Sequence, residues 1–328
     1  MSKNKNYDEY HKDMYNQAYL TLKNHCSFGE SKRLAKKNGT ADDKIFSYET
    51  FNTYSKHVKY FVTWLIKNHP EISKFRKGKK YVREYLEERS KQDISSYTIQ
   101  LERCALNKVY NIEVGSKFDF VPPKRKRVEI TRSRNKAKRD KNFSEANNWR
   151  LVEFCKGTGL RRSELKELKK EDLYDRQKLL GRMIELENAT DRKKRLEFDN
   201  ICTVLDLYPT TTHFVFVGNG KGGKQRYVPI LDDYKATILE KFNEAKKGGL
   251  VWENGVNSNA DIHSYRSDYA NAIYKHYERP INELEQKDLY ICRKDQKGIK
   301  YDRNAMLHAT VALGHNRIDV IASHYLRF

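Results

Sequence analysis

The chain has 328 residues, long for one compact domain and comfortable for two. A hydrophobic fraction of 38% supplies real cores, which excludes a disordered tail even though 33% of residues are charged. The formal net charge of +21 repels itself unless a polyanion neutralises it, so nucleic acid is the first expected partner, with an anionic membrane surface or an acidic protein as alternatives.

No apolar run reaches the roughly 18 residues of a membrane span, and the start, Met1-Ser2-Lys3-Asn4-Lys5, leads into no apolar signal core. Cys26, Cys104, Cys155, Cys202 and Cys292 are odd in number, widely spaced and form no CxxC pair. They predict neither a disulfide framework nor a zinc site, and a reducing cytoplasm is the expected compartment.

Residues 1–43 read as a basic arm or as one or two marginal helices. From 44 to 118 the pattern is helical. Tyr54, Val58, Phe61 and Leu65 form one stripe, and Pro70 ends that helix. A second helix fits Tyr81 to Arg89, and a third follows the capping candidates Ser95 and Ser96, carrying Ile99, Ala105, Leu106 and Val109. Together they predict a small all-α domain. Residues 119–143 read as an interdomain linker: Pro122 and Pro123 discourage helix, and Lys124 to Lys141 hold ten basic residues against two acidic ones. Lys124, Arg125, Lys126, Arg127, Arg132 and Arg134 are therefore candidate phosphate contacts, the alternative being a solvated strap.

Residues 144–328 predict an α+β domain, mainly helical with a small antiparallel sheet. A helix through Trp149, Val152 and Cys155 reaches Gly157-Thr158-Gly159, and a second carries Leu165 and Leu168. A hairpin follows: strand residues 213–217, the glycine-rich turn 218–224, then Gln225 to Ile230. The run Gly220-Lys221-Gly222-Gly223-Lys224 is not a P-loop, because Gln225 stands where Ser or Thr is needed and a strand follows rather than a helix. It is a hairpin tip that presents lysines. An arginine just after Gly159, Arg161, can aim a fork at a phosphate, though alone it reads equally as a surface arginine.

The ordered set of Thr158-Gly159-Leu160-Arg161-Arg162-Ser163-Glu164-Leu165, the lysine hairpin, Tyr290-Ile291-Cys292-Arg293, Leu313-Gly314-His315 and Tyr325 resembles the boxes of the tyrosine recombinases (phage integrases). The likeness spans about 145 to 328, and the helical domain and basic linker resemble that family's core-binding domain and connector. It implies a C-shaped clamp around DNA. It implies Arg161, Lys221, Arg293, His315 and Tyr325 as catalytic residues, Glu164 as the brace of Arg161, Lys224 as an alternative to Lys221, and Tyr290 in the place of a usual histidine. On this reading Tyr290-Ile291-Cys292-Arg293 replaces the family's His-x-x-Arg. His315 and Tyr325 are ten apart, one more than usual. Arg161 and Lys221 are sixty apart, and 186–211 reads as an insertion with an amphipathic piece (Leu196, Phe198, Ile201, Val204, Leu205).

The implied function is site-specific recombination for a bacterial mobile element, through a 3′-phosphotyrosyl intermediate. The implied assembly is a tetramer on two DNA sites, with accessory DNA-bending or directionality proteins. Bond energy is conserved, so neither cofactor nor metal is expected. The alternatives are a DNA-binding relative that has lost chemistry, with Tyr290 as its symptom, and a type IB topoisomerase-like relaxer.

Overall fold

A computed structural model describes residues 3–126, 142–293 and 296–326, with the side chains of 3–12 outside the description. The chain is mostly helical, with small antiparallel sheets, and divides into two units, Met1–Lys126 and Arg127–Phe328. Among the described residues, no helix is long and apolar enough to cross a membrane.

The first unit is built from helices α1 (Lys3–Lys23), α2 (Lys32–Lys37), α3 (Tyr48–Asn68), α4 (Val82–Ser90) and α5 (Ser96–Tyr110). Serine caps start three of them. Ser31, Ser47 and Ser95 accept the amides of Leu34, Thr50 and Thr98, taking up donors that a helix start leaves free. Helix α3 buries Val58, Phe61, Val62, Leu65 and Ile66. Phe61 meets Tyr85 of α4 and Tyr110 of α5 edge to face, at 5.3 and 5.9 Å.

The expectation of an N-terminal arm at 1–43 needs correction. Met14, Ala18 and Leu22 of α1 are buried in the same core as α3, and Tyr15 hydrogen-bonds Thr63 at 2.7 Å. Their spacing of four residues makes an apolar face, which the surrounding polar residues disguise. Of the linker residues, Lys124, Arg125 and Lys126 are exposed, with the Arg125 guanidinium 4.8 Å from the Tyr97 ring centre. Arg127, Arg132 and Arg134 lie outside the described residues.

The second unit starts with α6 (Trp149–Thr158) and α7 (Arg162–Glu167), followed by strand β1 (Leu173–Asp175). Helices α8 (Arg176–Leu186) and α9 (Arg192–Leu207) then precede the hairpin of β2 (His213–Gly220) and β3 (Lys224–Pro229). The sheet order is β1-β2-β3, antiparallel throughout, with Val215 opposite both Leu173 and Val228. Helices α10 (Lys235–Glu244) and α11 (Ile262–Tyr277) follow. After them come the β4 (Leu289–Ile291) and β5 (Lys300–Asp302) pair, α12 (Arg303–Leu313) and α13 (Asp319–His324).

Helix α11 lies in the middle of this unit, against α6 and α12, and buries Tyr269, Ala270 and Ile273. The span read as an insertion is the end of α8, a turn and α9. Ile201 and Val204 reach the core, Glu197 binds Arg182 and the Tyr227 hydroxyl, and Leu196 stays exposed.

Candidate active site

Two left-handed glycines bend the chain into the site. Gly159 (φ +57°) ends α6 and Gly314 (φ +70°) ends α12. A Cβ on Gly314 would lie 2.7 Å from Arg226 Cδ, so only glycine lets the His315 turn sit against β3. Arg161 then opens α7 in an extended conformation, and Glu164 reaches back to accept its backbone N–H at 2.8 Å.

Glu164 is the electrostatic centre of the turn. Arg161 Nη1 donates to Oε1 at 2.6 Å, while Arg226 Nη1 and Nη2 donate to Oε1 and Oε2 at 3.0 and 2.8 Å. Burial alone would push this carboxyl up. The hydrogen bonds and charge of Arg226, with the charge of Arg266, outweigh burial and hold it down at about 2. A carboxyl depressed when folded contributes stability above its unfolded value near 4.5, and that contribution drains away as pH falls toward 2. For so buried a group it is about 3 kcal/mol. Glu164→Gln should therefore cost about 3–5 kcal/mol at pH 7, because it strands two arginines. It should also flatten the acid limb between pH 4.5 and 2, as read by urea titrations across that range. An unchanged urea midpoint at pH 7 would show that Glu164 is no keystone.

Tyr325 follows α13 and is 5% exposed. Its hydroxyl is 3.3 Å from His315 Nε2 and accepts from Arg266 Nε at 3.3 Å. The His263 ring stacks on its ring at 5.5 Å with 13° between planes. Its backbone carbonyl accepts from Ser267 Oγ at 2.7 Å and Asn271 Nδ2 at 2.8 Å. Arg266 also donates to the carbonyls of Gly159 and of Leu313, thereby tying together the two glycine turns. Burial pulls its guanidinium down to about 10, so it is still a cation at neutral pH. His315 is pushed down to about 3, first by burial and then by Arg266, Arg161 and Arg226. It is therefore a neutral imidazole that can accept a hydrogen bond from the phenol, and a phosphate bound among the arginines would offset their charge and raise its basicity.

The expected second arginine must be corrected. Arg293 is exposed after β4, and Tyr290 packs in the β4–β5 pair opposite Tyr301. The chain does hold a His-x-x-Arg segment, His263-Ser264-Tyr265-Arg266, in the first turns of α11, and this pair touches Tyr325. One signal was available. Arg266 lies in an apolar stripe with Ile262, Tyr269, Ala270 and Ile273, where a charge is costly without a purpose. Arg226, next to the hairpin lysines, carries no local motif and is recognised only by its pairing with Glu164.

The two hairpin lysines separate. Lys221 is exposed at the tip. Lys224 lines a cleft of about 780 Å³ with Arg226, His315 and Asn316, and it donates to the Asn316 carboxamide oxygen. Burial, then Arg226 and Arg161, pull the Lys224 ammonium below its ordinary value. The phenol thus lies between Arg266 and a neutral imidazole, with the Glu164–Arg161–Arg226 cluster tied to the same glycine turns. The arrangement can hold an anion and take the proton of an attacking tyrosine.

The sequence matches no family model and no curated protein. Among solved structures, the chain is similar to one described as "Crystal structure of XerA recombinase", at 14% identity over 90% of this chain and 92% of that one, with a TM-score of 0.26. A superposition that loose carries no weight, and the functional reading rests on the residues themselves.

Proposed function

We propose that the protein is a site-specific DNA recombinase that cuts and rejoins strands through Tyr325, integrating or excising a mobile element. The observation that carries this reading is the Tyr325 hydroxyl between His315 Nε2 and Arg266 Nε, each at 3.3 Å. A phenol is a poor nucleophile when protonated and a phosphodiester resists attack, so both a base and positive charge are needed.

Arg161 and Arg266 stabilise the anionic oxygens of the phosphorane. The phenol oxygen bonds to phosphorus, its proton passes to His315, and the bond to the 5′-oxygen breaks. A hairpin lysine supplies the proton that the leaving oxygen takes. Lys221 holds that role by resemblance, and its place at a glycine-flanked tip leaves it free to swing. Lys224 anchors the hairpin base on the His315 turn. Glu164 and Arg226 position Arg161, and His263 holds the tyrosine ring. The product is a 3′-phosphotyrosine and a free 5′-hydroxyl. Attack by a 5′-hydroxyl of a second strand reverses the step. Recombination then needs two sites and a tetramer, and the basic residues at 124–126 clamp phosphates beside the first unit.

The presence of His263 and Arg266 at the phenol favours this reading over that of a relative without chemistry.

The test is a covalent trap. The full chain is incubated with duplex from the ends of its own element, nicked so that the short 5′ fragment diffuses away. A protein–DNA product that survives denaturant is expected. Tight binding with no such product overturns the proposal. Equal yield on any duplex favours a relaxer over a recombinase.

A further inference from the structure

We propose that the basic run Arg192-Lys193-Lys194-Arg195 on α9 is a docking surface for the phosphate backbone of a DNA strand beside the cleft lined by Lys224 and His315. The inference rests on the strand-transfer reading, since that reading brings a strand to this cleft.

Three observations converge on it. All four cations are exposed, and among the described residues none is paired with a carboxylate. The carboxylates next to them are already occupied. Asp191 caps the amides of Lys193 and Lys194, and Glu197 holds Arg182 and Tyr227. Folding does not explain the cations either. They occupy the first turn of α9, where the partial positive charge of the helix start disfavours them. A cost kept in the folded chain without an internal partner points to an external anion.

The third observation is placement. Lys193, Leu196 and Asn200 line the same cleft as Lys224, His315 and Asn316. Asn200 Nδ2 also donates to the Gln225 carbonyl at 3.3 Å, tying α9 to the lysine hairpin. Helix α9 is thus a wall of the cleft, with Lys193 at the cleft itself and Arg192, Lys194 and Arg195 exposed on the same helical turn. Successive helix positions differ by about 100°, so the four cations spread around the first turn of α9 and raise the positive potential there, which suits a polyanion better than a single acidic side chain.

The test compares Lys193→Gln/Lys194→Gln with a matched pair, Lys246→Gln/Lys247→Gln, which sits on an exposed loop after α10. Binding of the full chain to duplex is titrated against salt. The α9 pair is expected to reduce the slope of log affinity against log salt by about 2, and to weaken binding about tenfold near 0.1 M salt. The loop pair should stay within about twofold of wild type. Equal losses in both pairs would mean that net charge alone matters and would overturn the assignment, as would no loss in the α9 pair.

Lys193→Arg/Lys194→Arg should keep the binding. If the arginines lose it too, charge is not the cause and the assignment falls. Thermal stability of the glutamine pair should hold or rise, since the helix start loses unfavourable charge. The two proposals fail separately. Salt-dependent binding through α9 with no covalent product removes the strand-transfer reading and leaves the docking surface. Covalent product with no effect of the α9 pair does the reverse.

Discussion

Tyr325→Phe is expected to abolish the denaturant-resistant protein–DNA product while DNA affinity stays within about twofold of wild type. The ring stays in place, because its packing against His263 and His315 involves the ring rather than the oxygen. Its carbonyl stays held by Ser267 and Asn271. Only the hydroxyl and its links to His315 and Arg266 vanish, at a stability cost of about 1 kcal/mol. The measurement is a denaturing gel of the trapped product beside a binding titration. A covalent product that persists in the variant would assign the attack to another side chain. Loss of product together with loss of binding would mean that the hydroxyl serves folding or docking, not chemistry.

Arg266→Ala should lower the single-turnover cleavage rate about 10³-fold, and Arg293→Ala should leave it within about twofold. The contrast decides between two arginines that both fit a sequence pattern. Arg266 is 2% exposed and donates to the Tyr325 oxygen, whereas Arg293 is exposed at the end of β4. Alanine at 266 also strands the Gly159 and Leu313 carbonyls, so Arg266→Lys separates folding from chemistry. Lysine keeps the charge and cannot bridge two carbonyls and a phenol at once. It should retain a folded protein and lose about 10² in rate. Cleavage that survived Arg266→Lys but not Arg293→Ala would return the second arginine to the β4 segment.

Local rules made much of the chain legible. The helical stripe of α3, the serine caps and the hairpin each follow from side-chain spacing or turn chemistry. Short motifs mark Arg161, Glu164, His315 and Tyr325, and the fold pairs Arg161 with Glu164 and His315 with Tyr325. Arg266 and His263 are illegible locally because a helix of Tyr, Ile and Ala hides a cation within its apolar face, whereas the β4 segment shows its arginine openly. Arg226 escaped because its role depends on a partner 62 residues away, Glu164, which no local pattern reveals. The N-terminal segment leaves arm and helix both open in sequence, because its buried positions are sparse among polar ones.

His263, Arg266, Ser267 and Asn271 all lie on one side of α11, and between them they hold the ring, the hydroxyl and the carbonyl of a single residue. Successive helix positions differ by about 100°, so one inserted or deleted residue in front of that face would swing all four away together. The site is therefore sensitive to the phasing of this helix as a whole, more than to any one of its contacts. Change in this chain has an easier outlet at the hairpin tip, where added length would shift a lysine without unseating the tyrosine.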